Sequence, residues 1–359
     1  MELINVHKQV NNRRLNRIQP LLTPVRLLEK MPADNDVYAN VVYARKAIRN
    51  ILHKEDNRFL IIVGPCSTHD EKASIEFAKR LAELQNKFAD KFFFVMRVYF
   101  EKPRTVLGWR GLIVDPDKND VINIPSGLEK ARKILIEINK LGIPVATEFL
   151  DPIVPQYIAD MVSWASVGAR TSESQIHREL ASGLSMPVGF KNATDGDMLS
   201  AVNAVVSANK PHGFIGITAD GLSAVMHTTG NEDAHIVLRG GSNGSNFGPF
   251  EIQKAHNLLQ KHNIPPAIII DCSHDNSQKK PENQPNVFMS VLETKQTANS
   301  KIAESIRGIM LESFLQDGNT HPSNHNIPEH FGRSITDPCM GWELTMKTIQ
   351  KAYKKFLCK

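Results

Sequence analysis

Eight short apolar runs, at 59–65, 92–100, 144–149, 165–169, 187–190, 235–239, 267–272 and 308–312, recur along the chain. Stretches with helical spacing of apolar residues fill several of the gaps, at 72–90, 126–141, 173–184, 195–209 and 249–263, and 338–357 reads as a final helix. Runs this short, bounded by turn residues, are strands rather than helices. Strand and helix in alternation build βαβ units, in which a parallel sheet is covered by helices. The class is therefore α/β. Eight repeats predict a (β/α)8 barrel, the TIM barrel architecture, with an open doubly wound sheet as the competing arrangement.

Two segments lie outside the repeat. Residues 1–58 precede the first strand and include a helical stretch at about 35–53. Between strands five and six, residues 214–230 ("FIGITADGLSAVMHTTG") read as a β-hairpin around an Ala-Asp-Gly turn. Both are expected to decorate a barrel core of residues 59–357, and the plainest role for them is to cover exposed edges. Loops 275–286 and 316–336 are polar and rich in Gly, Pro or His, as loops beside active sites often are.

Composition narrows the function mainly by exclusion. The formal charge is +5, yet the suggestive Arg and Lys residues are single and sit at the ends of apolar runs. Nucleic-acid binders cluster such residues on one face, often with stacking aromatics, so no nucleic-acid partner is expected. The apolar runs are too short to cross a bilayer, and "MELINVHKQVNNRR" has no stretch suited to a signal peptide. The four cysteines, Cys66, Cys272, Cys339 and Cys358, are too few for a disulfide framework in a chain of 359 residues. The expectation is a cytoplasmic protein with reduced thiols and no membrane partner.

The strand ends carry the chemistry. Strand one leads to Cys66, strand two carries Arg97 and leads to Lys102 and Arg104, and strand three ends at Glu148. Strands four to six end at Arg170, Lys191 and Arg239, strand seven at His274 and strand eight at Glu312. A barrel core does not require charged strand ends, whereas barrel enzymes place their active sites at that face. A lone buried histidine is more often a hydrogen-bonded core residue, and a lone cysteine a small apolar one. Cys66, His274 and Glu312 nevertheless fall on strands one, seven and eight, which are neighbours only if the sheet closes. Together they predict a metal site on one side of the mouth, facing cations on the other. Alternation along the strands adds to this, placing Ile268, Ile270, Cys272 and His274 on one face and Ile62, Gly64 and Cys66 on another. Cys272 and Cys358 read as structural, and Glu148 as support for a neighbouring group.

Seven motifs complete the reading: "GPCSTHD", "MRVYFEKPRT", "GWRGLIVDPD", "GARTSESQIHRELASGLSMPVGFKN", "HIVLRGG", "DCSHDNS" and "SITDPCMGWE". Over about residues 55–345 the chain resembles the class I 3-deoxy-D-arabino-heptulosonate 7-phosphate (DAHP) synthases, which begin aromatic amino-acid biosynthesis. The resemblance implies a (β/α)8 barrel that condenses phosphoenolpyruvate with erythrose 4-phosphate and releases phosphate. It implies one divalent metal, with Mn, Fe, Co and Zn all compatible, held by Cys66, His274, Glu312 and Asp337. It maps the phosphoenolpyruvate pocket onto Arg97, Lys102, Arg170, Lys191 and Arg239, and erythrose-phosphate contacts onto Arg104 and Thr105. Lys102, with Cys66 and His274, is the implied proton-handling group. Val106, Arg110 and Ala193 depart from the commoner Thr, Lys and Gly without removing a needed charge.

Two other readings compete. A sister enzyme joins phosphoenolpyruvate to arabinose 5-phosphate, but it typically carries "KANRS" where this chain has "KPRT". A catalytically dead aromatic amino-acid sensor would have lost a metal ligand or a pocket cation, and none is missing. In the family resembled, segments like 1–58 and 214–230 form an effector site and join subunits, implying a homodimer or homotetramer. Gly216 stands where phenylalanine-sensitive relatives tend to carry Ser, which favours tyrosine as effector. Finally, if Cys66 and Asp337 share an ion, Cys339 lies close enough to Cys66 for a disulfide to form when the metal is lost.

Overall fold

A computed structural model describes residues 10–104, 107–324 and 327–357. Thr105, Val106 and Cys358 lie outside the described residues. The apolar runs form β1 (Phe59–Gly64), β2 (Phe92–Arg97), β3 (Val145–Glu148), β4 (Trp164–Val167) and β5 (Val188–Lys191). After a two-stranded insertion, β6 (Gly213–Ile217) and β7 (Ser223–His227), the series resumes as β8 (His235–Leu238), β9 (Ile268–Asp271) and β10 (Ile306–Glu312). All barrel pairings are parallel, and the ring closes in the order β1-β10-β9-β8-β5-β4-β3-β2. The seam pairs Leu60 with Gly308 and Gly64 with Glu312. With β1 paired to both β2 and β10, the open sheet is ruled out.

The barrel interior is packed by Leu60, Ile62, Phe93, Val95, Ala146, Trp164, Val237, Ile269 and Met310. Ala44, Ala47, Ile48, Ile51 and Leu52 from helix Asn35–Leu52 belong to the same cluster. That helix ties to loops preceding the strands: Arg45 donates to the carbonyls of Val162 and Ala159, and His53 meets Asp233 at 2.8 Å. It therefore closes the N-terminal end of the barrel. The expectation that the extension only covers edges is corrected here, because its apolar stripe is part of the core. Fully burying a side chain such as Ile48 stabilises by about 1.5–3 kcal/mol.

Alternation in β9 also needs correcting. Ile268, Ile270 and Cys272 pack in the outer layer against the helices, while Ile269 faces inward, and Asp271 shares its parity. His274 reaches the mouth only because the chain turns after the strand, where it takes a left-handed φ of 53°. The insertion is an antiparallel pair with Gly216 opposite Ala224. Its turn runs through Gly221, whose φ of +79° suits glycine. The amide of Val25 donates to Ala219 at 2.9 Å, so the extension and the hairpin touch.

One polar pair is sealed within this core. The indole Nε1 of Trp164 donates to His235 Nε2 at 3.1 Å, and His235 Nδ1 lies 2.9 Å from the Asp233 carbonyl. This pattern needs a neutral imidazole, since protonation would set two N–H groups against each other. Burial pushes the His235 pKa down from 6.5 to about 4, with Asp233 opposing. A depressed folded-state pKa gives stability that is present above 6.5 and lost as pH falls through about 4. His235→Gln, which does not titrate, should flatten the acid side of the melting-temperature profile in that window. An unchanged slope in thermal unfolding from pH 7 to 4 would assign the loss to other groups.

Candidate active site

Past their C-terminal ends the strands open into one cavity of about 640 Å³. Arg97, Lys102, Arg104, Arg170, Lys191 and Arg239 line it, and so do His274, Glu312 and Asp337. Cys66 is fully buried beside it, with Sγ 3.1 Å from Lys102 Nζ and 3.6 Å from Asp337 Oδ2. Among the sequence-predicted residues, Thr105 lies outside the described residues and Gly216 sits on the hairpin, away from this cavity.

Donor atoms of Cys66, Glu312 and Asp337 lie within 4.8 Å of one another. His274 stands beside this trio, its Nε2 3.8 Å from Glu312 Oε1. Its other nitrogen, Nδ1, is 2.8 Å from Asp271 Oδ2 and 2.9 Å from Ser273 Oγ. A carboxylate on Nδ1 leaves the Nε2 lone pair facing the trio, the arrangement used to orient metal-binding imidazoles. Burial works to raise the Asp271 pKa, but His274, Lys191 and Arg97 outweigh it and hold the group ionised. The Cys66 thiol is pushed up by burial and by Glu312, with Lys102 opposing. It therefore keeps its proton until a cation displaces it. A thiol, an imidazole and two carboxylates converging this way fit a divalent transition metal.

One cation, Arg97, does not stand across the mouth from the expected metal ligands but beside one of them. Arg97 is 1 % exposed and donates through Nη2 to Glu312 Oε1 at 2.9 Å, so a residue expected to bind an anion and one expected to hold a metal are direct partners. The cause is the closed ring: β2 and β10 both flank β1. Elsewhere Lys191 pairs with Glu148 at 3.2 Å and Arg239 with Asp275 at 2.7 Å. Lys102 is pulled down by burial, but Cys66, Glu312 and Asp337 raise it further, so it stays an ammonium.

Three features escaped sequence reasoning. Tyr99 sits between two cations, its ring centroid 3.9 Å from the Arg97 guanidinium carbon and 5.4 Å from Lys191 Nζ. Its position two residues beyond Arg97 was the available signal, since i and i+2 share a face. Asp271 is the second, because it faces the His274 imidazole and does not itself line the cavity. An amide lattice below the cations was also missed: Asn192 Oδ1 accepts from the Arg239 amide at 2.8 Å and from Asn246 Nδ2 at 3.0 Å. Asn276 continues the lattice by donating to the carbonyls of Leu238 and Asp271. Nearby, the Cys66 amide meets Cys339 Sγ at 3.3 Å, with both thiols free.

Comparison with known proteins agrees with this geometry. The DAHP synthetase I family profile matches residues 30–350. The chain belongs to that family. The Phe-sensitive phospho-2-dehydro-3-deoxyheptonate aldolase of Escherichia coli (strain K12) is 47% identical over 94% of this chain and 95% of its own length. The Tyr-sensitive enzyme of the same strain is 41% identical over 96% of both. A solved structure of the aldolase from Francisella tularensis SCHU S4 superposes with a TM-score of 0.91 at 42% identity, covering 95% of this chain and 98% of that one.

The Asp271–His274 contact gives a prediction about the metal. Asp271→Asn should weaken binding of Mn2+ or Zn2+ by about 10- to 100-fold, the usual effect of losing such an orienting partner, with the far-ultraviolet spectrum retained. Equilibrium dialysis showing wild-type affinity would detach Asp271 from metal binding.

Proposed function

We propose that this chain is a metal-dependent DAHP synthase, joining phosphoenolpyruvate, erythrose 4-phosphate and water to give DAHP and inorganic phosphate. The observation that carries the reading is one cavity in which a Cys66–Glu312–Asp337 donor trio meets a wall of cations. Phosphoenolpyruvate brings a phosphate and a carboxylate, and Arg97, Arg170, Lys191 and Arg239 supply the fixed opposite charge, the arginines with planar donor forks. Arg104 and Thr105 take the phosphate of the second substrate.

Cys66, His274, Glu312 and Asp337 would hold the divalent ion, and its Lewis acidity would polarise the aldehyde oxygen. The enol carbon of phosphoenolpyruvate then forms the new C–C bond to the aldehyde carbon. Water adds at the carbon that bears the phosphate, and the C–O bond to phosphate breaks. The aldehyde oxygen needs a proton as it becomes a hydroxyl. Lys102, an ammonium beside Cys66, would give it and would be reprotonated by the added water, whose other proton leaves with the phosphate.

The hairpin and the N-terminal segment form an effector site and a subunit contact in this reading. Their mutual contact at Val25 and Ala219 supports a joint role, and Ile215 and Val225 expose an apolar face of the hairpin, at 84% and 63%. The assembly is a homodimer or homotetramer, and the effector is an aromatic amino acid, tyrosine by the space at Gly216. A Cβ there would meet Met226 Cγ at 2.7 Å, so serine requires that flexible side chain to shift.

Phosphate release with each aldose phosphate tests the activity. Release with erythrose 4-phosphate, none with arabinose 5-phosphate and none from Cys66→Ala is expected, that variant keeping its metal-free melting temperature. Turnover only with arabinose 5-phosphate would reassign the enzyme, and full activity with full metal content in Cys66→Ala would remove Cys66 from the site. For regulation, Gly216→Ser should weaken inhibition by tyrosine and leave uninhibited turnover within twofold. Inhibition of the wild type by phenylalanine at lower concentration would overturn the choice of effector.

A further inference from the structure

The opposite end of the barrel carries a second polar cavity, of about 390 Å³. Lys54, Asp56 and Arg58 reach it from the segment before β1, Lys295 from helix Gln284–Thr297, Glu304 from helix Ser300–Ser305 and Arg307 from the start of β10. Five of these six side chains have partners. Arg58 clamps Asp56 through contacts of 2.6–3.1 Å. Lys54 meets Glu304 at 2.5 Å, and Lys295 donates to the carbonyls of Ala303 and Ile306 at 3.1 and 2.9 Å.

Arg307 is the exception. It is 8 % exposed, and its Nε and Nη2 are buried without a hydrogen-bond partner among the described residues. Its position has a backbone cause. Ile306 pairs with Ile268 and Gly308 with Ile269, which leaves Arg307 as the extra residue of a bulge. Bulges re-aim side chains and recur where a site is built. Burial draws the Arg307 pKa down to about 10, with Glu304 opposing, so the group is still a cation at neutral pH. Four basic groups against two acidic ones leave the cleft positive. A buried guanidinium with open donors is costly unless an acceptor meets it. The group best shaped to do so is an oxyanion with several acceptor oxygens.

We propose that this cleft binds a small phosphate-bearing anion, with Arg307 as the donor fork and Lys54 and Arg58 as flanking cations. It is distinct from the mouth. Arg307 and Glu312 lie on one strand five residues apart, about 17 Å at the usual rise of about 3.3 Å per residue.

The test titrates the metal-loaded full chain with inorganic phosphate by calorimetry, without phosphoenolpyruvate, in the wild type and in Arg307→Met; phosphate held at the mouth is common to both, and the cleft is read as the difference between them. One phosphate more per chain is expected for the wild type than for Arg307→Met, whose affinity at the cleft is at least tenfold weaker. Because that variant removes an unpaired buried charge, it should melt no lower than the wild type in phosphate-free buffer, and its kcat and KM should stay within twofold. Lys54→Met, at the rim, should weaken binding several-fold and keeps the test decisive if Arg307→Met does not fold. Glycerol 3-phosphate in place of inorganic phosphate separates the sources: tighter binding of one names a phosphomonoester or the free ion as the ligand class. Identical stoichiometry in the wild type and Arg307→Met, or unchanged affinity in both variants, overturns the site. So does acetate binding as tightly as phosphate, or Arg307→Met dissociating subunits with phosphate binding unaltered.

Discussion

The mouth of this barrel depends on one seam, the parallel pairing of β1 with β10 that sets Gly64 against Glu312. In an open sheet Cys66 and Glu312 would leave opposite edges. Closure makes their strands neighbours, about 4.8 Å apart. Side-chain direction alternates along a strand, so a slip of one residue would turn Glu312 out of the mouth. The pairing on the other side of β1, with β2, fixes Gly64. A Cβ there would lie 2.6 Å from the Arg97 carbonyl, so the close approach of β1 to β2 requires glycine. That approach helps bring Arg97 within reach of Glu312 across β1.

Charge is then distributed so that buried ions hold one another. Arg97, Lys191, Glu148 and Glu312 are each 7 % exposed or less. Burying any of them alone would cost several kcal/mol. Pairing Arg97 with Glu312 and Lys191 with Glu148 offsets that cost. Tyr99 holds the two cations apart on the face of its ring, where a cation is attracted rather than merely tolerated.

Much of this was legible in the sequence for identifiable reasons. Strand number, closure and the convergence of Cys66 with Glu312 follow from short apolar runs with polar ends, because period and end chemistry are local signals. Asp337 followed only from resemblance, since an aspartate in a polar loop looks like any solvated one. Parity failed at His274 because a left-handed turn intervenes, and alternation holds only while the strand lasts. The plug role of residues 35–52 was hidden for a different reason. Their helical stripe was visible, but nothing local says which surface a stripe will meet. Arg97 facing Glu312 was hidden likewise, since it depends on two strands flanking a third.

The hairpin is joined to the mouth through a short run of contacts. Thr228, just past β7, meets Ser182 Oγ at 2.7 Å on helix Gln175–Gly183. The same helix carries Arg178, which donates through Nε to the Ser172 carbonyl at 2.8 Å. Ser172 then touches two of the strand ends that carry cavity cations. Its hydroxyl lies 2.6 Å from the Lys191 carbonyl and 3.0 Å from that of Gly168, two residues before Arg170. A serine hydroxyl has one proton to donate, so the two carbonyls cannot both be served fully. Packed cores transmit little by bending, and a signal needs an element with two discrete arrangements. Along this route the Ser172 hydroxyl serves one carbonyl at the expense of the other, which ties the two cation-bearing strand ends to the helix that meets the hairpin.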